Sequence, residues 1–143
     1  MNKKLVTVCL LLATTTAHAE SLEEKKFWKR QRDYIDEKLK IAHKNCGTSF
    51  SFDWDNAPVL RAEVEKTKHT PNGVCGAVIE AVSSICREGA DEKATVKAKI
   101  TGFTCGFAKE RTLELKGGIV KYNGNNTQSN FDDWAKPWLL KHL

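Results

Sequence analysis

The sequence lacks the short motifs that mark the common classes of enzyme. It contains no G-x-S-x-G nucleophile turn and no glycine-rich phosphate-binding loop, which are signatures of α/β-hydrolases and of nucleotide-binding proteins. It also contains no C-x-x-C pair, the motif of thioredoxin-like redox proteins. Zinc ligands are usually paired at C-x₂₋₄-C spacing. No two cysteines of this sequence have that spacing, so a metal site is not expected either. No motif therefore predicts a catalytic activity or a cofactor.

No apolar run in the sequence reaches the roughly 20 residues that a membrane-spanning helix needs. The first long run covers Leu5–Ala13 and is interrupted only by one threonine. It follows the basic segment Met1–Lys4 and precedes Ala17-His18-Ala19, a small-x-small cleavage site. This order of basic, apolar and small residues predicts a cleavable signal peptide over residues 1–19 and a mature chain that begins at Glu20.

Basic residues only slightly outnumber acidic residues. The formal net charge is +5, and the predicted signal peptide contributes Lys3 and Lys4 to it. Nucleic-acid-binding domains usually concentrate basic residues on one face, so nucleic acid is not the expected partner. We expect an exported protein, periplasmic or extracellular, whose residues 20–143 form a single domain with its own core.

Four cysteines follow the predicted signal peptide: Cys46, Cys75, Cys86 and Cys105. An even number in a small exported chain predicts two disulfides. Cys75 and Cys86 are expected on one helix, where 11 positions separate them by about 16 Å, too far for a bridge. Two pairings remain, Cys46–Cys75 with Cys86–Cys105, or Cys46–Cys86 with Cys75–Cys105. Short connections between antiparallel neighbours favour the first of these.

The segment after the cleavage site has the pattern of a long amphipathic helix. Ser21 followed by Glu24 matches a capping box. Apolar residues then recur at helical spacing as far as Cys46. Gly47 is a typical helix terminator. These features predict a helix over residues 22–45.

The spacing of apolar residues changes several times after this helix. Alternation over residues 49–54 and 60–65, on either side of a turn-rich cluster, predicts a β-hairpin. The patterns then predict two helices, one with Cys75 and Cys86 and a shorter one from Asp91. Three strands are predicted next, around residues 101–107, 113–115 and 119–122, and a last helix carries Trp134 and Trp138. The order αββααβββα predicts an α+β domain in which helices pack on an antiparallel sheet.

Histidine is the side chain that most often transfers protons at neutral pH. His43 lies near the end of the first helix, where a cation is favourable. His69 lies in a polar loop, and His142 is next to the last residue. No pair of histidines has metal-ligand spacing. A small secreted hydrolase or nuclease that uses His43 or His69 is therefore an alternative, and no residue is assigned as catalytic.

The tryptophans provide one candidate binding surface. Trp134 and Trp138 are four residues apart on the predicted last helix and so share a face. Exposed aromatic side chains make good contact surfaces. Packing of this face on the sheet is the alternative. Trp28 and Trp54 lie on faces that we expect to be buried.

Basic residues at the beginning of the first helix provide a second candidate surface. They are Lys25, Lys26, Lys29 and Arg30. An anionic partner, such as an envelope polymer or an acidic protein, would fit them, and an ordinary solvated helix face is the alternative. The sequence thus predicts an exported, non-enzymatic binding protein for a protein or cell-envelope ligand, with an inhibitor included. A secreted effector or toxin has the same features.

Overall fold

The computed structural model describes residues 21–125 and 131–143, with the backbone alone for 131–133. The predicted signal peptide, residues 1–19, lies outside the described residues. The elements in chain order are α1 (Leu22–Cys46), β1 (Ser51–Trp54), α2 (Ala57–Thr67), α3 (Asn72–Ile85), α4 (Ala90–Lys99), β2 (Gly102–Phe107), β3 (Thr112–Lys116), β4 (Ile119–Gly124) and α5 (Phe131–His142). The chain is a small α+β domain, as predicted. No helix among the described residues is long and apolar enough to cross a membrane.

Helix α1 forms where the capping box and the helical spacing predict it. The Glu24 main-chain N–H donates to Ser21 Oγ at 3.1 Å. At the other end, Gly47 has a φ of 67° and donates its N–H to His43 O at 2.9 Å. Glycine takes this left-handed conformation without strain, so it ends the helix directly after Cys46.

The predicted strand over residues 60–65 is wrong, because this segment forms helix α2. Leu60 and Val64 alternate with charged residues, but they are also four residues apart and so share one face of a helix. Both are buried. Pro58 lies in the first turn, where its missing N–H costs no hydrogen bond. The spacing of the apolar residues fits both a strand and a helix. The remaining residues are mostly good helix formers, and this composition favours the helix.

The sheet is mixed, whereas the sequence predicts an antiparallel sheet. The strand order is β1-β2-β4-β3, in which β1 and β4 run parallel to β2 and β3 runs antiparallel to β4. The antiparallel expectation holds for the β3–β4 hairpin, whose turn residues Gly117 and Gly118 both have positive φ. Helices α2, α3 and α4 separate β1 from β2 and bring the chain back to the end where β1 begins. Strand β2 therefore runs parallel to β1.

Helices cover one face of the sheet and leave the other polar. Phe52, Phe103 and Val120 belong to the buried core that includes residues of α1, α3 and α5. Asp53 and Glu114, which alternate with such residues along their strands, are exposed. Helix α3 is central, because both α1 and α5 pack against it.

Both disulfides form, but the favoured pairing is wrong. The bridges are Cys46–Cys86, with Cα atoms 5.0 Å apart, and Cys75–Cys105, with Cα atoms 5.9 Å apart. The pairing of Cys46 with Cys75 and of Cys86 with Cys105 assumed a second strand that returns along β1. Because α2 replaces that strand, α3 begins beside the middle of α1, where Gly76 lies against Tyr34, and runs parallel to it. The last residues of the two helices therefore meet.

Candidate binding groove

A groove of about 780 Å³ lies between the first turns of α1 and the length of α2. Sites for small ligands have volumes of roughly 300–1,000 Å³, so the groove is large enough to hold a ligand. Its principal lining residues are Glu24, Phe27 and Trp28 from α1 and Arg61, Glu65 and Lys68 from α2. The two helices belong to different parts of the sequence, and the fold brings them together.

The position of α2 depends on a short connection and two buried side chains. Asn56 takes a left-handed conformation with a φ of 46°, which turns the chain sharply out of β1. The helix is then anchored by Leu60 and Val64. It ends at Lys68, which has a φ of 60° and donates its N–H to Val64 O at 2.7 Å. The outer residues of α2 therefore face the groove.

Aromatic rings form the α1 side of the groove. Phe27 and Trp28 meet edge to face with ring centroids 5.4 Å apart, and Trp28 meets Trp54 at 5.8 Å. Trp54 in turn contacts Phe52 at 4.9 Å. Trp28 and Trp54 are half-buried, although the sequence predicts both in the core. Trp54 packs against the core and Trp28 lines the groove, where its ring and that of Phe27 leave an apolar surface open to a ligand.

Charged side chains cross the groove. The Arg61 guanidinium lies 5.0 Å from the centre of the Trp28 ring, a cation–π contact. Arg61 also donates to Glu24 Oε1 at 3.2 Å. Glu65 and Lys68 add one charge of each sign. The groove thus combines an aromatic base with polar groups of both signs that can orient a ligand.

Two large apolar side chains near the groove are exposed but do not line it. Leu22 in the first turn of α1 is 66% exposed, and Val59 in the first turn of α2 is 45% exposed. Each is the immediate neighbour in sequence of a residue that lines the groove, Ser21 or Pro58. Successive side chains of a helix point in different directions, so the apolar surface of the groove itself comes from Phe27 and Trp28.

The sequence predicts only part of this groove. Phe27 and Trp28 were placed correctly on the first helix, but Arg61 fell on the outward side of a predicted strand. The spacing of Leu60 and Val64, together with Pro58, was the signal that could have revealed α2. Its outward residues would then have been candidates for a binding site.

The predicted tryptophan surface on α5 is not an open platform. Trp134 is half-buried, with its ring 6.1 Å from Tyr122 and 4.9 Å from the Arg111 guanidinium. Trp138 is also half-buried and stacks on His142 with ring centroids 3.7 Å apart. Both pack against the core. Neither is among the residues that line the groove.

The predicted basic surface lies on the first turns of α1. Lys25, Lys26, Lys29 and Arg30 are all exposed. Two of them form ion pairs within the helix, Lys26 with Glu23 at 3.2 Å and Lys29 with Asp33 at 2.7 Å. None of the four lines the groove. They lie on the same turns of α1 as Phe27 and Trp28, the two aromatic residues that line the groove.

The histidines lie apart from one another and from catalytic partners among the described residues. His43 Nε2 accepts the Phe50 main-chain N–H at 2.9 Å, so this atom already holds the backbone of β1. His69 is exposed just after Lys68. His142 Nδ1 lies 2.7 Å from Trp138 O, at the end of α5. In the part of the chain that the structure describes, no carboxylate bonds to any of the three.

One serine and one lysine meet elsewhere, between α3 and α5. Lys136 Nζ donates to Ser84 Oγ at 3.2 Å and forms an ion pair with Glu88. These contacts tie α5 to the last turn of α3. All four cysteines of the described chain are bridged, which leaves no thiolate there.

Asp55 joins three strands at the end of β1. Its carboxylate forms an ion pair with Lys121 at 2.9 Å and a hydrogen bond with Asn123, both on β4. These bonds hold the pKa of Asp55 below its ordinary value. The bonds from Asp55 to β4 pass over Gly106 of β2. A Cβ at position 106 would lie 2.5 Å from Asn123 Oδ1, so the position requires a glycine. Asp55 thus fixes the point at which the chain leaves the sheet for α2.

No group of three potential metal ligands occurs in the described residues. Comparison with protein-family models, with curated proteins and with solved structures finds no match for this chain.

Proposed function

We propose that this protein is an exported, non-enzymatic binding protein that holds a segment of a partner protein in the groove between α1 and α2. The observation that carries the proposal is the composition of the groove, in which Phe27 and Trp28 form an aromatic base and Arg61 lies above it. Aromatic residues and arginine are the side chains most often found at the energetic centre of protein interfaces. The groove contains no histidine and no cysteine among its lining residues.

The partner is expected to be an amphipathic segment. Its apolar side chains would contact Phe27 and Trp28, because burial of such surface is the main favourable term in association. Its polar groups would meet Arg61 and Glu65. The two disulfides hold together the frame of α1, α3 and β2 on which the groove is built, whereas neither of them reaches α2.

A site-specific photocrosslinker tests this proposal. The probe replaces Ala62, which lines the groove, and a control probe replaces Ala98, which is exposed on α4. Each protein is exposed to the proteins of its own compartment and irradiated. We expect a defined adduct at position 62, its loss in the Trp28→Ala variant, and no such adduct at position 98. Equal labelling at the two positions, or an adduct that survives Trp28→Ala, would contradict the proposal.

A small secreted hydrolase or nuclease is the second candidate. The observation that favours it is the position of His69, which is exposed directly after Lys68 at the end of the groove. Hydrolysis of RNA or of peptides by the purified protein, lost in His69→Ala and retained in His142→Ala, would support this candidate. His69→Ala is expected to keep the adduct at position 62 if the groove only binds.

A further inference from the structure

The two edges of the sheet differ in how their main-chain groups are satisfied. In β1 the Ser51 N–H donates to Thr101 O at 3.0 Å, and the Asp55 N–H donates to Cys105 O at 2.7 Å. Residues 51, 53 and 55 therefore turn their main-chain groups towards β2. Since these groups alternate along a strand, residues 50, 52 and 54 turn theirs outward.

Side chains close the outer edge of β1. His43 Nε2 accepts the Phe50 N–H at 2.9 Å, and Arg32 donates to Phe52 O at 3.1 Å. Asp53 Oδ1 accepts the Trp54 N–H at 2.8 Å. An edge whose groups are already bonded cannot accept another strand, and proteins commonly protect their edges by such means.

The described residues place no such cover on the outer edge of β3. On β4, Gly118 O and Gly124 O accept hydrogen bonds from residues 101 and 108, at either end of β2. The even-numbered residues of β4 thus face β2 and the odd-numbered ones face β3, where they pair with Thr112, Glu114 and Lys116. Leu113 and Leu115 therefore direct their main-chain groups outward. No described residue bonds to these groups.

We propose that the β3 edge pairs, antiparallel and centred on Leu113, with the β3 edge of a second copy of this chain. The inference does not depend on the proposed groove. The charges at the two ends of the strand carry it. When Leu113 faces Leu113 of the second copy, Lys116 at the end of β3 lies opposite Glu110, which comes two residues before β3 in that copy, and the two-fold symmetry repeats this pair. Both side chains are exposed in the single chain, and opposite charges across strands stabilise their pairing.

The same charges select this register over its neighbour. Centring the pair on Glu114 would place two glutamates directly opposite each other, and like charges there are unfavourable. Centring it on Leu113 instead places Glu114 opposite Thr112. A dimer with a two-fold axis repeats every favourable contact, which is the common form of such self-association.

Sedimentation equilibrium of the purified protein over a range of concentrations tests the dimer. We expect reversible dimerisation that Lys116→Glu weakens by about tenfold or more, because it replaces two opposite-charge pairs by two repulsive ones. The double variant Lys116→Glu with Glu110→Lys is expected to restore dimerisation. Lys97→Glu on the exposed side of α4 makes the same change in charge at a remote site and is expected to have no effect.

Amide hydrogen exchange provides a second measurement. The N–H groups of Leu113 and Leu115 are expected to exchange quickly at low protein concentration and slowly at high concentration, since the second copy covers them. A monomer at every concentration would overturn the proposal. A dimer that is insensitive to Lys116→Glu would also overturn it, because another surface would then hold the copies together.

Discussion

Helix α3 and the residue directly after it, Cys86, supply one cysteine of each disulfide, and nine of the 14 residues of α3 are buried, whereas α2 carries no cysteine and buries two residues out of 11. The buried residues of α3 belong to the main core, but Leu60 and Val64 of α2 do not. Proteins commonly draw their binding elements from the less stable parts of the fold. The contrast indicates that the disulfides and the core hold α3 and its neighbours firmly, as a frame. Helix α2, which forms one wall of the groove, is held more loosely.

Removing a disulfide from the frame is expected to have the largest effect. The double variant Cys75→Ala with Cys105→Ala opens a link across 30 residues of sequence, for which the chain-entropy model gives about 3.6 kcal/mol of stability. Denaturant unfolding at neutral pH measures the loss. A loss below about 1 kcal/mol would mean that core packing alone holds the frame and that the bridge adds little.

Two matched truncations compare the helices directly. Ile79 of α3 and Leu60 of α2 are both fully buried. We expect Ile79→Ala to lower the free energy of unfolding by about 3 kcal/mol and Leu60→Ala by about 2 kcal/mol, because the surroundings of α2 can collapse into the cavity more easily. Denaturant unfolding measures both losses. Equal losses would remove the distinction between frame and groove wall.

The start of α2 is expected to show a small dependence of stability on pH. Because Lys121 lowers the pKa of Asp55 in the folded protein, the charged pair stabilises the fold at neutral pH. This contribution is lost as the pH falls below the ordinary range of a carboxyl group and through the lowered pKa. It is expected to be less than about 1 kcal/mol, since the pair is partly exposed.

Unfolding of the original protein and of Asp55→Asn at neutral pH and at about pH 3 measures this contribution. The difference between the two proteins is expected to shrink at the lower pH. The control Glu37→Gln removes an exposed carboxylate on α1 and is expected to show no such change. A difference that grows on acidification would contradict the role given to Asp55.

The sequence predicts correctly those elements whose signals are local. Ser21 and Gly47 mark the ends of α1, and Gly117 and Gly118 mark the β3–β4 turn. The bridging of four cysteines follows from their number and the predicted compartment. Each of these predictions depends on residues close together in the chain or on composition.

The remaining features depend on the direction in which distant segments run. One error, the period assigned to Leu60 and Val64, reversed the expected direction of α3. That error led to the wrong cysteine pairing and to a fully antiparallel sheet. The groove was missed for the same reason, because Trp28 and Arg61 face each other only when residues 57–67 form a helix.

Amide hydrogen exchange of the free protein tests the contrast between frame and groove wall most directly. The account predicts that amides in the middle of α3 exchange only through global unfolding, whereas those of α2 exchange through a local opening of much lower free energy. The same free energy of exchange in both helices would contradict it, because α2 would then belong to the same rigid unit as α3.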